Sequence, residues 1–230
     1  MNVCFKGLLC GATGRMFLTF KQPRRIHVKS CDFMYKKMFF EMVNSALVQA
    51  DGGGGSFLLS LSDKPIEFSR YADVTVQFAP FQVNRKSLLT KLYASLEQKA
   101  LLAENYRGTG ELLGHLERYV LQLSDDLPFE VDCQKLSIGP VIKAISPEID
   151  ESDKTPLEKI FAYMELVREL DRDRLFIMVN MRSYFTDEDM QAFVESVTLH
   201  GFRVLLLESF AQSKLKNTQR YMIDEDLCEF

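Results

Sequence analysis

The chain has 230 residues and is 47% hydrophobic, enough for one large domain or a domain with a sizeable insertion, folding without disulfide staples. Lys and Arg number 28 against 32 Asp and Glu, and the net charge of −4 excludes a protein that coats nucleic acid over its whole surface. The five cysteines, Cys4, Cys10, Cys31, Cys133 and Cys228, are scattered and never spaced CxxC, which excludes a disulfide framework or a zinc site; with no bilayer-length apolar run and no secretory leader, a reduced cytoplasm is expected.

Residues 1–15 contain Gly7, Gly11 and Gly14 without a strong period and read as an extension, so Met16–Phe20 is predicted as the first strand of the domain. A short strand around Ile26–Val28 precedes an amphipathic helix over Phe33–Val48, which stops at Asp51 and the glycines 52–55, read as a flexible connection. Strands follow at Phe57–Leu61, Glu67–Phe68 and Val74–Phe78, the first two joined by a turn at Ser62–Pro65. From Asn84 the period becomes helical, with Leu88, Leu89, Leu92 and Leu96 three to four apart. Gly108-Thr109-Gly110 separates this helix from a second at Glu111–Leu123, and the two are expected to pair as a hairpin.

Thr155-Pro156-Leu157-Glu158 opens a helix running to about Leu170: threonine caps, proline takes the first helical position, and glutamate reaches back to the cap amide. Leu175–Val179, a helix opened by Thr186 with Asp187, Glu188 and Asp189 in its first turn, and Val204–Leu207 form a βαβ unit. Its strands are continuously apolar, which suits a parallel sheet covered on both faces. The fold class is therefore α/β: an extension (1–15), a head over 16–83 and 172–230, and a helical insertion or leg over 84–171.

A nucleotide hydrolase on such a head needs a glycine-rich loop ending in Gly-Lys-Ser/Thr, whose amides and lysine hold the phosphates. The nearest stretch, Gly11-Ala12-Thr13-Gly14-Arg15, has no predicted strand before it and no lysine–hydroxyl pair after it. His27, His115 and His200 are far apart in sequence, and no serine sits in a GxSxG elbow. Asn180 and Glu208 fall at the carboxyl edge of the two parallel strands, where open α/β sheets bind ligands; there they either line a small-molecule pocket or cap loop backbone.

Charge is unevenly placed. Arg15, Lys21, Arg24, Arg25, Lys29, Lys36 and Lys37 stand against Asp32 alone, a local charge of +6 able to bind phosphates without reading a base, or else a solvated turn and helix face. Between Asp125 and Asp153, eight carboxylates face Lys135 and Lys143, a local charge of −6. Asp125, Asp126, Glu130 and Asp132 lie on an irregular segment whose flexible geometry suits calcium better than magnesium, although EF-hand spacing is missing and a solvated acidic loop is the competing reading.

The Leu175–Asn180 strand, Phe185-Thr186-Asp187-Glu188, the Val204–Glu208 strand and Tyr221-Met222-Ile223-Asp224-Glu225-Asp226 resemble, in order and spacing, the closing segment of the type II-A CRISPR-associated spacer-acquisition family. Weaker similarity covers Phe17–Leu47 and Phe81-Gln82-Val83-Asn84, so the resemblance spans Met16 to the end. It implies a nucleotide-hydrolase-like head lacking the phosphate loop, a helical leg, calcium bound near the leg, and a homotetrameric ring that holds double-stranded DNA ends. Lys143, within Val141-Ile142-Lys143-Ala144-Ile145, matches a lysine in a similar stretch of the family and becomes a candidate for the ring lining, joined by Lys135 as a DNA contact. Lys21, Arg24, Arg25 and Lys29 are added from charge. Gly139-Pro140 interrupts a stretch that is a smoother helix in other members. The implied function is non-catalytic, sequence-independent DNA-end binding in spacer acquisition, with the CRISPR integrase subunits and RNA-guided effector nuclease as partners. The alternatives are a nucleotide or phosphoester hydrolase at the Asn180–Glu208 edge, and a pure protein adaptor.

Overall fold

A computed structural model describes residues 3–8, 15–20, 28–33, 36–55, 57–61 and 64–223. The elements in chain order are β1 (Val3–Leu8), β2 (Arg15–Phe20), β3 (Val28–Phe33), α1 (Lys36–Ala50), β4 (Phe57–Leu61), β5 (Lys64–Ile66), α2 (Phe68–Tyr71) and β6 (Ala72–Thr75). Then come α3 (Lys86–Ala100), α4 (Ala103–Leu123), α5 (Ile138–Ile145), α6 (Pro156–Leu170), β7 (Leu175–Val179), a 3-10 turn at Met181–Ser183, α7 (Asp187–His200), β8 (Arg203–Glu208) and β9 (Thr218–Ile223). They divide into two units, Met1–Gln82 with Asp153–Phe230, and Val83–Ser152.

The first unit is built on a five-stranded sheet in the order β6-β7-β8-β3-β9, every neighbouring pair parallel. The apolar runs explain it. All residues of β3 and β7 are buried, as a strand covered on both faces requires. Side chains alternate by face: Cys31, Phe33, Ile177 and Leu205 join one core with Met38 and Met42 of α1. On the other face Phe161 of α6 and Phe176 of β7 both meet the Phe202 ring edge-on. Both capping boxes form: Glu158 N–H donates to Thr155 Oγ1 and Asp189 N–H donates to Thr186 Oγ1, with the Glu158 and Asp189 carboxylates accepting from the cap amides.

Several expectations change. β1 lies inside the supposed extension and pairs antiparallel with both β2 and β4 in a second sheet, order β2-β1-β4-β5. The Gly11–Arg15 stretch therefore follows a strand after all, but it joins two antiparallel strands, and a phosphate loop must join a strand to a helix. The strand expected at Glu67–Phe68 is displaced to β5, and Phe68 instead starts α2. Helix α6 belongs to the first unit instead of the helical insertion. Its Tyr163 hydroxyl donates to Asp73 Oδ2 of β6 at 2.7 Å, and the same ring packs edge-on against Phe81.

The glycine run after α1 is pinned. The buried Gln49 amide donates to Phe57 O at 2.9 Å and accepts from Phe57 N–H at 2.8 Å, copying a backbone pair across the turn. Gly52 takes φ 88°, and a Cβ on Gly55 would meet the Gln49 side chain at 2.5 Å, so glycine is required for both conformation and space.

In the second unit α4 runs unbroken through Gly108, Gly110 and Gly114, and the break from α3 falls at Leu101–Leu102. The expected hairpin is loose: α4 buries none of its residues, while α3 packs on α5. Gly139-Pro140, expected to interrupt a helix, occupies the first turn of α5, where proline costs no intrahelical hydrogen bond. The unit is closed at its base by Asn84. Its amide donates to Ile149 O at 3.0 Å, its Oδ1 accepts from Ile149 N–H at 2.9 Å, and Glu151 Oε1 accepts from Val83 N–H at 3.2 Å. Among the described residues no helix is long and apolar enough to cross a membrane.

Candidate functional site

The cationic candidates separate by burial. Lys21, Arg24 and Arg25 lie outside the described residues. Lys29 is a correction. It is the second residue of the buried strand β3, is 2% exposed, and holds its ammonium 5.6 Å from the centre of the Tyr221 ring on β9. Charge counting placed it with surface cations; strand pairing places it inside. Lys135 and Lys143 are exposed, Lys135 on the irregular stretch before α5 and Lys143 in the last turn of α5. Lys36 and Lys37 are exposed at the start of α1.

The proposed calcium ligands do not form a cage. Asp125, Asp126, Glu130 and Asp132 are exposed along the chain that follows α4, and among the described residues no three His, Cys, Asp or Glu converge on a point. Calcium needs six to eight oxygens, so this chain by itself does not fit the ion at these four residues. Within the same acidic run Glu151 has a structural duty at the base of the unit, and Asp150 accepts from Ser152 N–H at 2.9 Å.

The carboxyl edge of the parallel sheet carries the densest buried charge. Asp32 and Glu208 are register partners at the ends of the central strands β3 and β8, and they are 0% and 1% exposed. Asp32 Oδ1 accepts from the Ser30 hydroxyl at 2.7 Å, and Oδ2 accepts from Gln212 N–H at 3.1 Å. Arg220 Nε stands 2.9 Å from the same Oδ2, an ion contact without hydrogen-bond alignment. Glu208 Oε1 accepts from Arg182 N–H at 3.2 Å, while its Oε2 has no hydrogen-bond partner among the described residues. Burial pushes the Glu208 carboxyl up from 4.5 to about 7; the Arg182 backbone hydrogen bond and guanidinium oppose the rise, and Asp32 adds to it.

Arg182 clamps the loops above. Its Nη1 donates to Ser213 O at 2.6 Å, and its Nη2 donates to Ser213 Oγ at 2.8 Å and to Asp187 Oδ1 at 2.6 Å. Hydrogen bonds from Ser213 and Arg182 hold the Asp187 carboxyl below its ordinary value. Asn180, in the left-handed region at φ 53°, accepts through Oδ1 from Ser209 N–H at 2.8 Å. Of the two uses open to Asn180 in the sequence, the structure shows loop capping. Asp32, Arg182 and Arg220 were missed as partners of this edge. Asp32 was visible as the lone acid in the basic segment, but nothing in sequence spacing pairs it with an arginine near the other end of the chain.

A separate groove of about 540 Å³ lies between α3 and α5 in the second unit. Lys86, Tyr93, Gly139 and Lys143 line it.

The CRISPR-associated protein (Cas_Csn2) family matches residues 49–227. A CRISPR-associated protein Csn2 from Enterococcus faecalis is 26% identical over 172 residues, covering 71% of this chain and 72% of its own length. A Csn2 from Streptococcus agalactiae is 22% identical over 153 residues, covering 64% of this chain and 65% of its own. The crystal structure of Stu0660 of Streptococcus thermophilus shares the fold at a TM-score of 0.56 and 10% identity, over 92% of this chain and 69% of that one. With most of its length matched, from the end of α1 to just past β9, the chain belongs to the Cas_Csn2 family of CRISPR-associated proteins.

Proposed function

We propose that this CRISPR-associated protein is a non-catalytic, sequence-independent double-stranded DNA-end binder that acts in the cytoplasm as a homotetrameric ring during spacer acquisition, alongside the CRISPR integrase and RNA-guided nuclease. The observation that carries the reading is the second unit. It joins exposed lysines, among them Lys143, to a helix, α4, that leaves an apolar stripe unburied. Exposed lysines bind phosphates by releasing counterions, and an unburied stripe gains by meeting another copy. Capping of the carboxyl-edge loops by Asn180 and Arg182 supports a scaffold. Calcium enters only as an ion that would have to draw Asp125, Asp126, Glu130 and Asp132 together, or add ligands from a second copy.

Binding of a short linear duplex, followed by fluorescence anisotropy at low and high salt, tests this reading. Affinity is expected to fall steeply with salt, and Lys143→Glu is expected to weaken binding to all sequences alike and to lower the log–log salt slope by about 1 per copy. Salt-insensitive or absent binding contradicts it.

A second reading, hydrolysis of a nucleotide or phosphoester at the carboxyl edge, is favoured by one observation: Glu208 Oε2, without a hydrogen-bond partner among the described residues, on a carboxyl that burial pushes up to about 7. Hydrolysis lost in Glu208→Ala would support it.

A further inference from the structure

We propose that the α3–α5 groove is a subsite for one unpaired nucleotide of a DNA strand, with the Tyr93 ring as stacking platform and Lys86 and Lys143 as phosphate contacts. The proposal rests on the DNA-binding reading above. At about 540 Å³ the groove is in the size range of small-molecule sites. Tyr93 is half-buried, so its ring is held by the fold while part of it remains accessible. Ala94 and Gly139 carry little or no side chain, which leaves room beside that ring.

Two other polar groups of the groove, Asn84 and Thr90, are already occupied. The Asn84 amide is taken by Ile149 and Glu151, and the Thr90 hydroxyl donates to Lys86 O at 2.9 Å. Glu97 lies against the first turn of α5: a Cβ on Gly139 would meet its Oε1 at 2.7 Å. A carboxylate is favoured there by the helix dipole. Lys86 and Lys143 are exposed, and neither has an ion-pair partner among the described residues.

A flat apolar wall flanked by two free ammoniums matches a ligand that is flat, apolar and anionic. A nucleotide has those properties, and stacking with phosphate contact is how single strands are held without sequence preference. A base inside a duplex has both faces covered and cannot stack on Tyr93, so the groove selects an unpaired end.

The test uses the full chain and three labelled DNAs: a blunt duplex, the same duplex with a short unpaired tail, and one with an abasic tail. The unpaired tail is expected to tighten binding about tenfold over the blunt duplex, within the range of one stacked base, while the abasic tail adds little. Tyr93→Ala should remove the gain of the unpaired tail over the blunt duplex, and Tyr93→Phe should retain it. Ala94→Phe, at an exposed position, fills the groove and should also remove the gain, which keeps the test valid if Tyr93→Ala fails to fold. Equal binding of blunt and tailed DNA, or a gain that survives on the abasic tail or in the filled groove, overturns the proposal. If the blunt duplex is not bound at all, the DNA-end reading fails by itself. A thymidine oligonucleotide measured against the same variants then decides the groove.

Discussion

Glu208 is a carboxyl whose protonation the fold sets. Its folded value of about 7 stands above the ordinary 4.5, so the unfolded chain releases this proton first. The sign follows: stability is fully present below about pH 4.5 and is lost as the pH rises to about 7, by on the order of 2–3 kcal/mol if Glu208 acts alone. Glu208→Gln keeps an oxygen for the Arg182 amide and removes the charge. It is expected to unfold at higher urea than the parent at about pH 8 and to differ little at about pH 5. A larger difference at the acid end would contradict the assignment. Lys29 teaches the opposite lesson about legibility. In sequence it is one cation among seven, and only the pairing of β3 with β8 and β9 reveals that the segment from Val28 is interior.

At the scale of elements, local chemistry was legible where it acts locally. The boxes at Thr155 and Thr186 and the apolar runs of β7 and β8 were readable because each depends on residues within a turn or a strand. The break placed at Gly108–Gly110 failed because glycine costs a helix only about 1 kcal/mol, which the continuous α4 absorbs, supported by an Arg107–Glu111 pair one turn apart. Strand β9 was missed because its identity comes from pairing with β3, far away in sequence. Helix α4 also carries the element-scale prediction. Leu112, Leu116, Tyr119 and Leu123 recur four, three and four apart and are 36–65% exposed, a stripe suited to a partner helix. Leu123→Asp is expected to shift the protein to a smaller assembly by light scattering and to leave its circular dichroism unchanged, since Leu123 is 65% exposed in the single chain. Retention of the parent mass would remove α4 from the interface.

For the whole molecule, the α/β class and the presence of a helical insertion were legible from the order of elements, and family membership from the closing motifs, which end at Asp226 just short of the matched limit. The carboxyl-edge cluster was not, because Asp32, Arg182 and Arg220 converge only through sheet order. The proposed assembly and the proposed DNA binding are tested together by one measurement. Native mass and mobility would be recorded on short linear and closed circular duplex DNA, with calcium or chelator, at low and high salt. A tetramer-sized species that binds linear DNA and loses it on circularisation or added salt is the expected result, with chelator sensitivity assigning calcium its part. A monomer indifferent to both DNAs would contradict the DNA-end reading and turn attention to Glu208 and the carboxyl edge.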